Sequence, residues 1–365
     1  MADKQFPCGQ CGAKVKFDPR AAALKCPYCG HENAIPKSAS DIKELDFHTY
    51  LQQAGSQAEQ IQTTLVRCSG CGSEISVDPQ VQSELCPFCD SAFVTGEKTA
   101  AGIKPESLLP FQVERKKAVD LFHKWAAGLW FAPNKLKHYA RTTGSRLAGM
   151  YVPYWTYDAN TTSWYQGERG DDYQEQESYT EIENGERVEK TRTVTRTRWT
   201  SVSGVVYESF DDVLVVGSSS IPLKQAERLE PWDLENLVGY DASYLSGFRT
   251  ERYQVDLGAG FERAKQIMDT SIRAAVNRDI GGDHQRISSI STQHDNITFK
   301  HILLPLWISA YRLGEKTYRF LVNARTGEVQ GERPWSVAKI IGAIVGAAAL
   351  IGIISFLVYY FQQQP

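Results

Sequence analysis

The eight cysteines of this 365-residue chain form two copies of one spacing pattern. Each copy reads Cys-x2-Cys-x14-Cys-x2-Cys, and the second repeats the first at a constant offset, from Cys8 to Cys68 and from Cys29 to Cys89. The full set is Cys8, Cys11, Cys26, Cys29, Cys68, Cys71, Cys86 and Cys89. Paired turns of this kind aim four thiolates at one point, which is the geometry of a tetrahedral structural zinc site. The pattern therefore predicts two zinc ribbons, each holding one Zn²⁺ ion.

Two other roles for cysteine fit this pattern less well. A disulfide framework is typical of small secreted domains, whereas here every cysteine lies within positions 1–89 of a long chain. A redox motif needs one Cys-x-x-Cys pair beside a βαβ unit rather than two paired sets. Because all four positions of each predicted site are cysteine, no coordination position stays open for catalysis. We therefore expect two structural zinc sites in a reducing compartment.

The C-terminal region contains an uninterrupted stretch without a charge, at positions 340–361. A helix of this length spans about 33 Å at roughly 1.5 Å per residue, which is enough to cross the hydrocarbon core of a bilayer. Arg333 and Lys339 precede the segment, and no basic residue follows it in the sequence. The positive-inside rule then predicts a single-pass transmembrane helix over residues 337–361, with the N-terminal domains in the cytoplasm.

Two glycines in this segment allow an additional prediction. Gly342 and Gly346 are separated by three residues, and pairs of small residues at this spacing permit two membrane helices to approach closely. Small residues are also common in membrane helices that do not associate. A homo-oligomer formed through these glycines is therefore one of two interpretations.

Between the second ribbon and the anchor, the sequence predicts an α+β region with antiparallel strands. Apolar residues recur with a helical period over 113–130, and a second helix is expected over 258–278. Each helix is followed by a strand with a Pro-x-Trp sequence, at Pro153 and Pro305, which suggests a duplicated unit. The predicted multidomain organisation is zinc ribbon 1 at 1–36, a linker with a short helix at 37–65, zinc ribbon 2 at 66–97, the two halves of the α+β region at 103–240 and 241–334, and the transmembrane helix at 337–361.

The linker between the ribbons is mostly polar. Asp41 is a candidate N-cap for its short helix, with Glu44 three residues later in the capping-box position. The apolar stripe of this helix is thin. We therefore expect the linker to be a spacer that packs against one of the ribbons.

A hairpin with a basic second strand is predicted around the Asn-Gly sequence at 184–185. Because side chains alternate along a strand, four cations over residues 190–198 share one face: Lys190, Arg192, Arg196 and Arg198. Such a strip would suit anionic lipid headgroups or nucleic acid. A two-residue turn, however, pairs residues whose numbers sum to 369, which places Arg192 opposite Glu177. Cross-strand ion pairing is therefore favoured, and a lipid contact is the alternative.

The charge of the N-terminal region bears on the choice of partner. Residues 1–100 contain 9 Lys and Arg against 12 Asp and Glu, and a four-thiolate zinc site adds a formal charge of −2. Phosphate binding depends on cations, so nucleic acid is an unfavourable partner for this module. The sequence favours docking on a cytoplasmic or membrane-associated protein. Because the first ribbon is locally basic, a membrane-tethered nucleic-acid-binding factor is the alternative.

Sequence motifs for catalysis are absent. The chain has no G-x4-G-K-[ST] phosphate loop, no G-x-S-x-G nucleophile elbow and no H-E-x-x-H metal motif. Its seven histidines are scattered along the sequence. We therefore predict no catalytic residue and no cofactor-binding residue other than the metal ligands, and we expect a protein that is not an enzyme.

Taken together, these features resemble a known family. The paired ribbons, the Leu-Pro-Phe sequence at 109–111, the Tyr-Val-Pro-Tyr-Trp strand at 151–155 and the C-terminal span are similar to those of bacterial membrane-anchored proteins with transcription-factor-IIB-type zinc ribbons. Such proteins are often labelled primosomal helicases because of their cysteine pattern, but this chain has no Walker A sequence. The resemblance implies a membrane anchor or recruiter, in some members linked to phage-shock-protein-A-type envelope stress factors. It transfers the eight cysteines as metal ligands and no partner-binding residue.

Overall fold

A computed structural model describes residues 6–35, 42–53, 63–76, 83–94, 98–100, 102–136, 147–183, 186–313 and 316–362. The strands, in chain order, are β1 (Lys16–Asp18), β2 (Ala23–Lys25), β3 (Glu32–Asn33), β4 (Leu45–Asp46), β5 (Thr63–Arg67), β6 (Glu74–Ser76), β7 (Ser83–Leu85), β8 (Ala92–Val94), β9 (Lys98–Ala100), β10 (Ser107–Leu108), β11 (Ala148–Glu183), β12 (Glu186–Val216), β13 (Val238–Gly239), β14 (Arg249–Glu251), β15 (His284–Leu313), β16 (Lys316–Asn323) and β17 (Val329–Gly331). The α-helices are α1 (Phe47–Gln53), α2 (Arg115–Gly128), α3 (Leu223–Glu227), α4 (Leu257–Ile280) and α5 (Val337–Gln362). Short 3₁₀ helices span Leu234–Asn236 and Ala242–Leu245.

One large mixed sheet organises the middle of the chain. Strand β15 pairs antiparallel with β11, β16 and β4, and parallel with β10. Strand β11 also pairs antiparallel with β12 and parallel with β14. Through β14 the sheet continues to β6, β5 and β9, which brings strands of the second ribbon into it. The first ribbon instead forms a separate three-stranded sheet from β1, β2 and β3.

Apolar layers cover both faces of this sheet because successive side chains of a strand point to opposite faces. The layer on one face joins the sheet to the second ribbon, through Val152, Leu304 and Leu306 of the sheet and Ile75 and Phe88 of the ribbon. The layers on the other face join it to the first ribbon, α2 and α4. Their largest sheet side chains are Tyr151, Trp155, Tyr157 and Trp307. Ribbon 1 therefore packs on one face of the sheet, whereas ribbon 2 extends the sheet through β5 and β6 and packs on the opposite face.

The two halves of the α+β region repeat the same arrangement. Strand β10 begins eight residues before α2, and β14 begins eight residues before α4. Strand β10 then pairs in parallel with β15, as β14 pairs in parallel with β11. The Trp307 indole N–H donates to the Val113 carbonyl at 2.7 Å, and the Trp155 indole N–H donates to the Val255 carbonyl at 3.0 Å. A short strand, a helix and a long strand thus occur twice with equivalent contacts.

Both long helices predicted for this region are confirmed, as α2 and α4. The Asp256 carboxylate caps α4 by accepting a hydrogen bond from the Ala259 N–H at 2.7 Å. The apolar face of α4 packs on the sheet through residues such as Phe261, Met268 and Ile272. The sequence therefore located both helices within a few residues of their ends.

The linker packs differently from its prediction. Its helix α1 begins at Phe47, and the Asp46 carboxylate accepts a hydrogen bond from the Thr49 N–H at 2.7 Å. Asp41, the predicted N-cap, lies outside the described residues. Phe47 is buried against Phe261 of α4, with ring centroids 4.8 Å apart. In the part of the linker that the structure describes, the expected packing against a ribbon is wrong, because Phe47 is covered by the α+β region.

Strands β11 and β12 form a hairpin with the predicted register. Glu177 pairs with Arg192, as the sum of 369 requires, and the turn at 184–185 lies outside the described residues. Strand β15 accompanies the hairpin only as far as the Gly170–His284 pair. The remaining part, residues 171–183 and 186–198, is a two-stranded arm.

Ion pairs join the two strands of this arm. Arg192 binds Glu177 at 2.9 Å and Lys190 binds Glu181 at 3.0 Å. Arg196 pairs with Glu175 in the same way. The predicted pairing of Arg192 with Glu177 is thus confirmed, and carboxylates of the neighbouring strand compensate Lys190, Arg192 and Arg196, whereas Arg198 lies over the Tyr173 ring.

Helix α5 is long and apolar enough to span a membrane. Residues Val337–Tyr359 contain an 18-residue stretch with a mean hydropathy of 2.6, and none of that stretch is buried within the protein. This helix agrees with the predicted span at 337–361 to within one residue at its C-terminal end.

His301 is buried in the sheet as a neutral imidazole. Its Nδ1 lies 2.9 Å from the Ile103 carbonyl oxygen, so Nδ1 carries the proton and donates. Burial lowers the pKa of His301 to about 4. Because its folded pKa lies below that of the unfolded chain, this residue makes folding sensitive to acid.

We expect the protein to lose about 2 kcal/mol of stability through His301 between pH 7 and pH 5. Below its ordinary pKa of about 6.5, the unfolded chain binds a proton that the folded state excludes down to about pH 4. Stability from this group is therefore complete above about pH 6.5 and falls on acidification. Urea unfolding of the full chain in detergent at both pH values should show a smaller loss for His301→Phe than for wild type. Equal losses in the two proteins would contradict the assignment.

Candidate metal centres

The first four cysteines come together as one cluster, here named site 1. Its members are Cys8, Cys11, Cys26 and Cys29, whose Sγ atoms all lie within 4.8 Å of one another. The Cys8–Cys29 distance is 3.6 Å and the Cys11–Cys26 distance is 3.5 Å. A disulfide requires about 2.05 Å, whereas thiolates bound tetrahedrally at about 2.3 Å from Zn²⁺ lie about 3.8 Å apart. These four sulfurs could therefore hold one metal ion.

The remaining four cysteines form an equivalent cluster, site 2. Its members are Cys68, Cys71, Cys86 and Cys89, again with all Sγ atoms within 4.8 Å of one another. The Cys68–Cys89 distance is 3.5 Å and the Cys71–Cys86 distance is 3.7 Å. The Ser73 hydroxyl lies 3.2 Å from the Cys71 sulfur. The structure thus groups the eight predicted ligands as the spacing indicated, and all-thiolate sites of this geometry are compatible with zinc.

All four Cys-x-x-Cys turns share one backbone conformation. In each, the residue after the second cysteine donates its N–H to the carbonyl of the first cysteine, at 2.8–3.0 Å. That residue has a left-handed φ of +73° at Gly12, +76° at Gly30, +79° at Gly72 and +60° at Asp90. Glycine adopts such a φ without steric cost, and aspartate is among the side chains that tolerate it. The backbone conformation of each turn is therefore determined by the few consecutive residues that form it.

Backbone N–H groups in these turns favour thiolates. At Cys26, the N–H of Cys29, supported by that of Tyr28, outweighs desolvation and lowers the pKa of the thiol to about 6, whereas at Cys86 the hydrogen bond with Cys71 and burial raise the pKa. A lowered pKa leaves the sulfur ready to bind a cation, since the thiolate is the form that ligates metal. Bound zinc would hold the two turns of a ribbon together and supply no reactive position.

The two sites differ in how deeply they are buried. In site 1, Cys8 and Cys26 are buried while Cys11 and Cys29 are exposed. In site 2, only Cys71 retains partial exposure. Site 2 is part of the apolar layer beneath the sheet, and its strand β6 is hydrogen-bonded to β14. Site 2 is therefore enclosed by the fold, whereas one side of site 1 faces solvent.

The aromatic residue in the second Cys-x-x-Cys turn also differs in burial between the two ribbons. The Cys-Pro-x-Cys sequences place Tyr28 in ribbon 1 and Phe88 in ribbon 2 at equivalent positions. Phe88 is 0% exposed, and its carbonyl accepts a hydrogen bond from the Arg319 guanidinium at 2.8 Å. Tyr28 is 82% exposed. The sequence contains no signal for this difference, because burial of Phe88 depends on strands far away in the chain.

A third group of acidic side chains brings Glu44, Asp158 and Asp211 within reach of a common cation. The buried Lys300 already compensates part of this group, because its ammonium lies 3.1 Å from Glu44 and 2.7 Å from Asp212, the chain neighbour of Asp211. Glu44 and Asp212, with the nearby Asp158, thus form an ion-pair network around a buried lysine. Sequence reasoning missed it because its members come from segments that are distant from one another along the chain.

No family model matches the chain, and no solved structure matches it. A relative described as uncharacterized protein YdjG of Bacillus subtilis (strain 168) is 23% identical over 361 residues. The match covers 94% of this chain and 94% of the relative. The two proteins are therefore similar along nearly their whole length. The resemblance to membrane-anchored proteins with transcription-factor-IIB-type ribbons stays a prediction.

Proposed function

We propose that this protein is a non-enzymatic scaffold that holds a cytoplasmic protein partner at the cell membrane. Two zinc ions stabilise its ribbons, and residues 340–361 anchor it in the bilayer with the N-terminal domains in the cytoplasm. The family resemblance extends the proposal to the envelope stress response. Gly342 and Gly346, at which an added Cβ would meet open space among the described residues, would allow the anchors of two copies to associate.

The observation that carries this proposal is the exposure of Tyr28 beside site 1. Phe88, its counterpart, shows how such a turn binds, since the ring is enclosed by apolar side chains and the neighbouring carbonyl is hydrogen-bonded. Tyr28 occupies the same rigid turn without such an enclosure. Exposed tyrosines on rigid supports are frequent hot spots of protein interfaces. The aromatic side chain in this turn of ribbon 1 is thus available to a partner protein, whereas its counterpart in ribbon 2 packs within the chain.

The alternative function, binding of nucleic acid through ribbon 1, has less support. Arg20 of this ribbon pairs with Glu114, and Lys25 lies 3.1 Å from Glu32. Cations that are already compensated release fewer counterions from a phosphate backbone. Ribbon 1 is therefore less suited to nucleic acid than its local sequence suggests.

The test is a pull-down of the tagged full chain from solubilised membranes, with and without nuclease. We expect a protein partner that survives nuclease and binds Tyr28→Ala about 30-fold more weakly, as for a hot-spot residue of about 2 kcal/mol. Tyr207→Ala is the matched control, because Tyr207 is also strongly exposed but lies on β12. Equal capture by Tyr28→Ala and wild type would refute the docking role of ribbon 1. Co-purification that disappears with nuclease would favour the alternative.

A further inference from the structure

Three exposed aromatic side chains cluster where the apolar helix begins. Trp130 and Phe131 follow the end of α2, and Trp335 precedes α5. Trp130 is 82% exposed, Trp335 is 54% exposed and Phe131 is 38% exposed. The rings of Phe131 and Trp335 lie 6.4 Å apart. Large aromatic side chains in this number are unusual on a surface in contact with water alone.

The loop that carries Trp130 is attached to the first turn of α5. The Ser336 N–H donates to the Phe131 carbonyl at 2.7 Å. The Lys339 ammonium donates to the Ala132 carbonyl, also at 2.7 Å. These bonds fix the loop at the level of the chain where the apolar helix starts. A bilayer that receives α5 would therefore meet the loop at the depth of its headgroups.

The fold itself does not require Trp130. Next to it, Ala132 and Leu136 are buried against Tyr311 and hold the loop to the sheet. The Tyr311 ring stacks on Tyr318 with centroids 5.4 Å apart. The loop is thus supported by its smaller apolar residues while the largest one points away from the core.

The charges around this cluster match a lipid surface. The Arg333 guanidinium lies 4.4 Å from the centre of the Trp335 ring, and Lys339 is in the first turn of α5. Basic residues at this level attract anionic headgroups by about 1 kcal/mol each. Tryptophan is enriched at the same level, because its indole has an apolar body and a polar N–H.

We propose that the Trp130–Phe131 loop is a second membrane contact, which inserts at the headgroup level beside α5. Together with Trp335, the loop would fix the orientation of the α+β region relative to the bilayer. An anchor that consists of α5 alone would leave that region free to reorient about the helix. The inference rests on the proposed anchoring by α5. It adds a membrane-binding surface that lies outside the predicted span.

The test is ¹⁹F NMR of the full chain labelled with 5-fluorotryptophan. The protein is placed in nanodiscs that contain phosphatidylserine and a lipid with a spin label on its headgroup. Resonances are assigned by Trp130→Phe, Trp335→Phe and Trp164→Phe. Trp164 is the control because it is exposed and pairs with Ser291 of β15. Ser291 lies about 60 Å along that strand from Tyr311, which supports the loop.

We expect the spin label to broaden the Trp130 and Trp335 resonances and to leave that of Trp164 sharp. A broadened Trp335 with a sharp Trp130 would overturn the loop contact and leave the anchor intact. Sharp resonances for both residues would overturn the loop contact and the anchor together. Equal broadening of Trp164 would show that the protein lies on the bilayer without a specific contact, which also overturns the inference.

Discussion

Cys86→Ser is expected to destabilise the whole region outside the anchor, by at least about 4 kcal/mol, because binding of a structural metal is part of the folding free energy. Cys86 is buried beneath the sheet, in the same apolar layer as Phe88 and Leu304. Loss of the metal at site 2 would release the turn that holds Phe88 and leave one face of the sheet uncovered. Circular dichroism in detergent should show a melting temperature lower by about 10 °C or more, or no cooperative transition. Zinc content should fall from two ions per chain to one.

The matched variant is Cys29→Ser, which removes the equivalent kind of ligand from site 1. Cys29 is exposed, and ribbon 1 forms a sheet of its own. We expect the same loss of one zinc ion, with a melting temperature within about 4 °C of wild type, since only the outer turn of the ribbon is released. Equal destabilisation by Cys29→Ser and Cys86→Ser would contradict the structural difference between the two sites. A full complement of zinc in Cys86→Ser would contradict its assignment as a ligand.

The cysteine clusters could be predicted because their geometry is local. Each Cys-x-x-Cys turn is built by a few consecutive residues, so spacing in the sequence largely decides where the sulfurs point. The environment of each ribbon could not be predicted in this way. Ribbon 2 joins the large sheet because Glu251 of β14 pairs with Ile75 of β6, and these two residues are far apart in the chain. Two ribbons with identical spacing thus acquired different surroundings.

The β11–β12 hairpin could also be predicted only in part from the sequence. Its register was predictable, because a two-residue turn leaves one pairing that sets Arg192 opposite Glu177. Its length was not, since the sequence predicts the first strand only around Pro153, whereas the strand extends to Glu183. Beyond residue 170 most side chains on both faces are exposed. The alternation of apolar and polar residues by which strands are recognised is therefore absent there.

The repeat in the α+β region was visible in sequence only as a helix followed by a Pro-x-Trp strand, which occurs twice. The structure adds hydrogen bonds that have no sequence signature, since backbone groups make them. The Gln254 N–H donates to the Gly217 carbonyl at 2.8 Å, and the Gln112 N–H donates to the Ala324 carbonyl at 2.9 Å. Such bonds place no requirement on side-chain identity, so the equivalence of the two halves could not be read from the sequence at these positions.

Lys300→Met is expected to lower the free energy of unfolding by about 3 kcal/mol, at the low end of the range for breaking a buried ion pair. The Lys300 side chain is 8% exposed, and its ammonium lies 2.7 Å from Asp212 and 3.1 Å from Glu44. Methionine fills a similar volume but leaves these carboxylates, with Asp158, close together without a cation. Burial already raises the pKa of Asp158, which indicates the cost of a charge in this position. Urea unfolding in detergent at pH 7 measures the loss.

Lys265→Met is the matched control, because Lys265 pairs with Glu262 at 2.7 Å on the exposed face of α4. A surface pair of this kind should cost less than about 1 kcal/mol. The double variant Lys300→Met/Asp158→Asn should recover part of the loss, since it removes one of the repelling carboxylates. A Lys300→Met protein as stable as the Lys265→Met control, or a double variant no better than Lys300→Met alone, would contradict the network.

The pH dependence of the free energy of unfolding is a second test of the Lys300 network, because the direction of the expected change follows from the pKa of Glu44. In the wild type, desolvation raises the pKa of Glu44, but the hydrogen bond and charge of Lys300 outweigh it and hold that pKa below its ordinary value. Stability from this pair is therefore present above the unfolded pKa of about 4.3 and is lost as the pH falls below it. Without Lys300 the carboxylates repel, so their pKa values rise and protonation relieves the repulsion. The difference in stability between wild type and Lys300→Met should accordingly shrink between pH 7 and pH 4, whereas a loss caused by packing alone would stay constant.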